Sequence, residues 1–163
     1  MSTAANPSIA PIRKSLLVNV SIERAFEVFT GEFDAWWPRS HHLGSAPAKR
    51  TVMEPRLGGR IYSEGEDGSS VQWAQILVWE PPTRFVMAWQ ISPAWKREPD
   101  PVKCSEVEVM FTAETDGQTL VELEHRHFER HGEGGEVIRT QVGGDGGWGS
   151  LLKLFKAKTE EAG

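Results

Sequence analysis

From residue 12 to residue 20 the chain alternates. Ile12, Lys14, Leu16, Val18 and Val20 share one side of an extended segment, and Arg13, Ser15, Leu17 and Asn19 share the other. That is the period of a strand with one mostly apolar face. At Ser21 the period changes. Ile22, Ala25, Phe26 and Phe29 recur at i, i+3, i+4 and i+7, with Ser21 placed to cap a helix, Glu23 in its first turn and Gly31 near its end. Phe33, Trp36 and Trp37 predict a second, short helical piece that stops before Pro38, because the residue before a proline is pushed out of the α region. Residues 38–49 read as a loop.

The stretch from Met53 to Trp89 predicts a meander. Gly58-Gly59, Asp67-Gly68 and Pro81-Pro82 each precede or separate a β-rich segment. Residues 93–101, with three prolines around Trp95, Lys96 and Arg97, form a long connection of the kind that often carries function. Two further strands, 104–115 and 118–129, meet at the hairpin signal Asp116-Gly117. Val107, Val109 and Phe111 lie opposite Glu106 and Glu108, and Val121 and Leu123 lie opposite Glu122 and Glu124. His125 and His127 keep the parity of Val121 and Leu123, so a regular strand turns both inward. The last apolar stripe, Trp148, Leu151, Leu152 and Phe155, predicts a long amphipathic helix with Lys153, Lys156 and Lys158 off the stripe. The glycine-rich run Gly143-Gly144-Asp145-Gly146-Gly147 precedes it. No lysine-serine or lysine-threonine follows, so the run reads as a bend that allows close approach rather than as a phosphate loop.

This order is a segregated α+β arrangement: a curved antiparallel sheet of about six or seven strands wrapped around a long C-terminal helix, with two short helices after the first strand. Residues 1–11 read as a flexible tail and 12–163 as one domain, which suits a chain of 163 residues, 39% hydrophobic and 25% charged. A formal charge of −5 and a pI near 5.6 argue against nucleic acid, whose binders usually carry a basic stripe. A lone Cys104, no signal-like start and no run near the roughly 20 apolar residues of a membrane span point to a reduced, cytoplasmic protein without membrane insertion.

The motifs Glu54-Pro55-Arg56-Leu57-Gly58-Gly59-Arg60, Trp79-Glu80-Pro81-Pro82, Val121-Glu122-Leu123-Glu124-His125, and Gly146-Gly147-Trp148 with Leu151 and Leu152, make the chain resemble the SRPBCC (START-related, pollen-allergen-like) superfamily. Val20-Ser21-Ile22-Glu23-Arg24-Ala25-Phe26 matches the way that fold passes from its first strand into its first helix. Within the superfamily the resemblance is to the branch similar to the C-terminal domain of activators of the heat-shock-protein-90 ATPase. It spans nearly the whole chain, from Ile12 to Lys158. It implies a helix-grip fold with a hydrophobic tunnel between sheet and C-terminal helix, used by different members for lipids, hormones or polyketides and by a few for catalysis. It supplies no shared catalytic residues.

Parity and helical spacing nominate Phe26, Phe29, Phe33, Trp36, Trp37, Trp73, Trp89, Trp148, Leu152 and Phe155 as the tunnel's apolar lining or as ordinary core. Adjacent Trp36 and Trp37 do not fit one core face of one short helix, which leaves one of them to line an entrance. His125 and His127, with His41 or His42 from the loop, could hold one metal, but no cysteine cluster or ordered ligand spacing supports it, and neither metal nor cofactor is expected. His125 beside Glu124 or Glu64 is an acid–base alternative. His131, next to Gly132, reads as a loop residue. Arg56 and Arg60 fit either a ligand's acidic group or a surface ion pair.

The main expectation is therefore binding of a small apolar or amphipathic molecule, with Phe29, Phe33, Trp36, Trp37, Trp73, Trp89, His125, His127, Trp148, Leu152 and Phe155 as candidate contacts. A protein-interaction module of the co-chaperone kind, and a cyclase- or hydrolase-like enzyme using the histidines, remain alternatives. An exposed edge of the meander would allow a homodimer.

Overall fold

Seven antiparallel strands form one sheet in the order β1-β7-β6-β5-β4-β3-β2. They are β1 (Ile12–Val18), β2 (Ala48–Met53), β3 (Arg60–Gly65), β4 (Ser70–Glu80), β5 (Arg84–Trp89), β6 (Ser105–Thr115) and β7 (Gln118–Arg126). The structure is a computed structural model and describes residues 9–38, 41, 46–144 and 147–161. Strands β2 to β7 follow one another as a meander, and β1 returns to pair with β7, placing Ile12 opposite His125 and Val18 opposite Thr119. The sheet curls into a half-barrel around the helices, the helix-grip arrangement.

Among the described residues four α-helices complete the fold: α1 (Ile22–Thr30), α2 (Phe33–Trp36), α3 (Gly135–Gly143) and α4 (Trp148–Thr159). Ser21 caps α1, its side chain accepting from the Arg24 amide at 3.2 Å. The cap fixes which face of α1 turns inward, and Ala25, Phe26, Val28 and Phe29 are buried. Helix α4 buries Trp148, Leu151, Leu152 and Phe155. The two helices meet at Phe29 and Phe155, whose ring centroids lie 4.9 Å apart. The sheet's inner face supplies Val107, Val109, Phe111, Val121 and Leu123, all buried.

The outer face is charged and paired. Arg84 binds Glu80 at 2.9 Å and Glu108; Arg126 reaches Glu108 at 2.6 Å and both Glu106 and Glu124 at 3.2 Å; Arg13 binds Glu124 at 2.6 Å. Opposite charges thus alternate across the strands, as the parity of Glu106, Glu108 and Glu124 requires.

Three features depart from the sequence reading. Residues 48–49, expected in a loop, open β2, whose alternation is short and masked by exposed Lys49 and Arg50. Helix α3 was not expected; it follows a 3-10 stretch over Phe128–Gly134 and buries only Gly135, Ile138 and Val142. The second hairpin strand ends at Arg126 rather than at residue 129, because His127 takes a left-handed conformation, φ +65°. Gly147 bears out the expected bend: a Cβ there would stand 2.0 Å from the Val142 carbonyl oxygen. Asp145 and Gly146 lie outside the described residues.

Candidate functional site

The interior between sheet and helices is filled by aromatic rings in continuous contact. Phe33 stacks on Trp37 (4.7 Å, 24°), Trp37 stacks on Trp73 (5.2 Å, 21°), and Trp73 meets Trp89 edge-on at 5.5 Å. Trp89 in turn touches Trp148 at 5.7 Å and His125 at 5.2 Å. Toward α1 the chain of rings runs through Trp36 to Phe29 at 4.9 Å and Phe155 at 5.6 Å. Leu152 is buried in the same core.

Trp36 and Trp37 are both buried, at 5% and 4% exposure, so neither stands at an exposed entrance. The expectation that only one could face inward assumed a helix running through both, and the helix ends at Trp36. Trp37 is already extended, ψ 127°, and its ring turns inward as well. Each indole finds a carbonyl: Trp36 donates to Val28 at 3.1 Å and Trp37 to His41 at 2.9 Å.

At the β6–β7 end the polar groups form a directed relay. An indole N–H can only donate, so Trp148 Nε1, 3.0 Å from His125 Nδ1, fixes that nitrogen as the acceptor. The ring's proton is then on Nε2, which donates to Ser105 Oγ at 2.8 Å. The Ser105 hydroxyl passes its own proton toward His131 Nε2, also at 2.8 Å, and the Ser105 amide donates to the same nitrogen at 3.0 Å. Burial drives the His125 pKa well below the usual imidazole value, with neighbouring His131 adding to the effect. Burial likewise lowers His131 to about 4, against a partial opposing pull from Glu98.

Both nitrogens of His125 are therefore committed, and its arrangement is that of a neutral anchor holding Trp148. His131 is a member of this relay rather than a plain loop residue. His127 does not join it; the left-handed turn carries it off the inner face, where its side chain is 40% exposed and lies 3.6 Å from Glu129. Ser105 and His131 were missed because their contact spans 26 residues and depends on the 3-10 turn after β7.

At the β2–β4 end the picture differs. Among the described residues, four buried side-chain polar atoms have no hydrogen-bond partner: Thr51 Oγ1, Ser63 Oγ, Trp73 Nε1 and Thr159 Oγ1. Three of them belong to β2, β3 and β4. The sequence pattern carried a weak signal here, since Ser63 shares the parity of Ile61 and Thr51 that of Met53.

The remaining candidates have contacts of their own elsewhere in the fold. Arg56 and Arg60 both pair with Glu54, at 3.3 and 3.0 Å, in an exposed cluster; the hydrogen bonds from Arg60 hold the Glu54 carboxyl down to about 2. Glu64 is bound by Arg50 at 2.7 Å, and Glu124 by Arg13 and Arg126, so neither faces His125. Burial, then Glu98 and Asp100, raise the Cys104 thiol to about 11, which leaves it unreactive. Among the described residues no group of three or more His, Cys, Asp and Glu side chains could hold a metal, and no helix is long and apolar enough to cross a membrane. His42 lies outside the described residues.

A seven-stranded half-barrel closed on a C-terminal helix, with an aromatic interior, defines a helix-grip protein of the SRPBCC superfamily. Within it, the chain belongs to the family described as Activator of Hsp90 ATPase homolog 1-like protein, whose model matches residues 19–160. The chain is similar to an anthrahydroquino-gamma-pyrone synthase, Txn09, solved in complex with SUM. That match has 39% identity over 92% of this chain and 97% of the other, with a TM-score of 0.65. It is also similar to CalC of Micromonospora echinospora, a self-sacrificing resistance protein, at 29% identity over 92% and 94% of the two chains and a TM-score of 0.65. Protein NE0264 from Nitrosomonas europaea shares the fold, at 12% identity over 92% and 94% and a TM-score of 0.63. No protein of curated function matches the sequence.

Proposed function

We propose that this protein binds a flat aromatic molecule of polyketide type between the inner face of the sheet and α4. The observation that carries the reading is the concentration of Trp37, Trp73, Trp89 and Trp148 in one run of ring contacts. Indoles offer broad π faces and a polar edge, the surface that suits a fused-ring ligand with few polar groups. The similarity to a synthase named for an anthrahydroquinone-derived product points the same way.

Titration with 1,8-dihydroxyanthraquinone, followed by quenching of tryptophan fluorescence, tests this. Saturable binding is expected, weakened at least tenfold in Trp89→Leu while its far-UV circular dichroism stays unchanged. Absence of saturable quenching, or the same affinity in the variant, would count against an interior site.

The 39% identity to the synthase favours a second reading, in which the bound molecule undergoes ring closure. On that reading the protein's contribution is to orient the substrate and keep water away, with His125 holding Trp148 in place. Incubation with an anthrahydroquinone bearing a side chain able to close to a γ-pyrone separates the two. Enzyme-dependent product on chromatography supports catalysis, and recovery of unchanged ligand leaves a binder.

A further inference from the structure

We propose that the β2–β4 end of the inner face is a polar subsite in which Thr51, Ser63 and Trp73 receive the oxygen-bearing edge of a bound, uncharged aromatic ligand. The inference rests on the aromatic-ligand reading above and adds which edge of the ligand is recognised and by what.

The three side chains are 1%, 3% and 1% exposed, and among the described residues their polar atoms have no hydrogen-bond partner. The sheet brings them together. Thr51 and Ser63 are direct partners in the β2–β3 register, and Ser63 pairs with Val71, two residues before Trp73 on β4. An irregularity in the β3–β4 ladder, where Ile61 pairs with Ala74 but Tyr62 with Gln72, leaves Trp73 as the extra residue. Trp73 and Ala74 are consequently both buried.

Packing does not call for these polar atoms. Valine has nearly the shape of threonine, and phenylalanine would keep most of the stacking of Trp73, without an unmet hydrogen bond in either case. Thr30 and Thr119, as deeply buried, are paired: Thr30 donates to Phe26 at 2.8 Å and Thr119 to Val20 at 2.9 Å. Native interiors rarely leave such groups unmatched, and a cluster of them on one wall of a site marks where a ligand supplies the partners.

The donor set defines the ligand's chemistry. The Trp73 N–H needs an acceptor, while the two hydroxyls can give or accept. Adjacent carbonyl and hydroxyl oxygens on the rim of a fused ring meet all three. An anionic group is disfavoured, because the Asp34 carboxylate already sits at this wall, accepting from the Thr51 amide at 2.9 Å. Trp37 covers the ring face of Trp73 at 5.2 Å, so a ligand ring that stacks there has to displace Trp37.

The test compares wild type with Thr51→Val/Ser63→Ala, Trp73→Phe and, as control, Thr159→Val, each titrated with 1,8-dihydroxyanthraquinone and with the hydrocarbon anthracene. The expected result is about tenfold weaker binding of the dihydroxyanthraquinone by the double variant and a several-fold loss for Trp73→Phe, the scale of one net hydrogen bond. Anthracene binding is expected to stay unchanged in both, and Thr159→Val to match wild type for both ligands. Equal loss for the two ligands would overturn the subsite, since it would report altered packing. Unchanged dihydroxyanthraquinone affinity in the variants would overturn the subsite while leaving the aromatic-ligand reading intact. Failure of the wild type to bind either compound would overturn both.

Discussion

Across β6 and β7, Ser105, Thr119 and His125 are fully buried and each is hydrogen-bonded; across β2, β3 and β4, Thr51, Ser63 and Trp73 are buried to 3% exposure or less, and among the described residues their side-chain polar atoms have no hydrogen-bond partner. The same sheet thus satisfies its buried polar groups at one end and leaves them open at the other. A satisfied buried network rigidifies the fold around it, whereas an unsatisfied one costs stability that must be recovered by something else. The β6–β7 end therefore reads as the frame, holding Trp148 through His125, and the β2–β4 end is where the proposed subsite would lie.

The largest effect that would break this contrast is expected at the frame. His125→Ala empties a fully enclosed site, strands the Trp148 N–H, and removes the donor to Ser105. A loss of about 3–5 kcal/mol is expected, from cavity and unpaired-group contributions together, read from urea denaturation. A loss below about 1 kcal/mol would mean that the relay does not hold this end.

Acid sharpens the same point. His131 is lowered to about 4 and His125 well below the ordinary value, both chiefly by burial. The unfolded chain takes up protons on these imidazoles near pH 6.5 while the folded chain refuses them. Their stabilisation is therefore complete above about pH 6.5 and declines as pH falls toward 4, by up to about 1.4 kcal/mol per pH unit for the enclosed His125 and less for partly wetted His131. Carboxylates held down by arginines, such as Glu54 at about 2, begin to cost stability only at lower pH. Unfolding free energies measured from about pH 6.5 to 4.5 should slope accordingly, and His131→Gln should flatten the slope. A flat wild-type curve would show the imidazoles to be charged or solvated.

The outer ladder gives a smaller effect. Arg126 neutralises Glu106, Glu108 and Glu124 and keeps 22% side-chain exposure. Arg126→Met should cost about 1–2 kcal/mol, and added salt should reduce the loss by screening the three carboxylates.

The fold was legible where one period dominated. The alternation of Val107 to Phe111 and of Val121 to Leu123, the Asp116-Gly117 turn and the stripe from Trp148 to Phe155 all place their elements correctly. Strand β2 was hidden because it runs along the edge, with a register shift between Ala48 and Arg50. His127 was assigned to the inner face by extending a period past the point where tertiary packing bends the chain. The rings were legible as buried surface, since size and spacing decide that. The relay was not, because pairing of Ser105 with His131 exists only once β6 and the 3-10 turn are folded against each other. Which hydroxyls stay unpaired is still less local: Thr119 and Thr51 look alike in sequence and differ only in whether a carbonyl, that of Val20, stands opposite.

That last difference yields the smallest expected effect and the most discriminating one. Thr119→Val removes a hydroxyl that satisfies the Val20 carbonyl and should cost about 1–2 kcal/mol, because the carbonyl loses its partner inside the protein. Thr51→Val makes the same chemical change where the hydroxyl has no partner, so the unliganded protein should change by less than about 0.5 kcal/mol, or gain stability. The pair is compared by thermal and urea unfolding without ligand. Equal losses would place a structural partner on Thr51 and dissolve the distinction between the two ends of the sheet. A neutral Thr51→Val beside a costly Thr119→Val would mean that the hydroxyl at β2 does nothing for folding, which leaves ligand recognition as the reason for a threonine in that position.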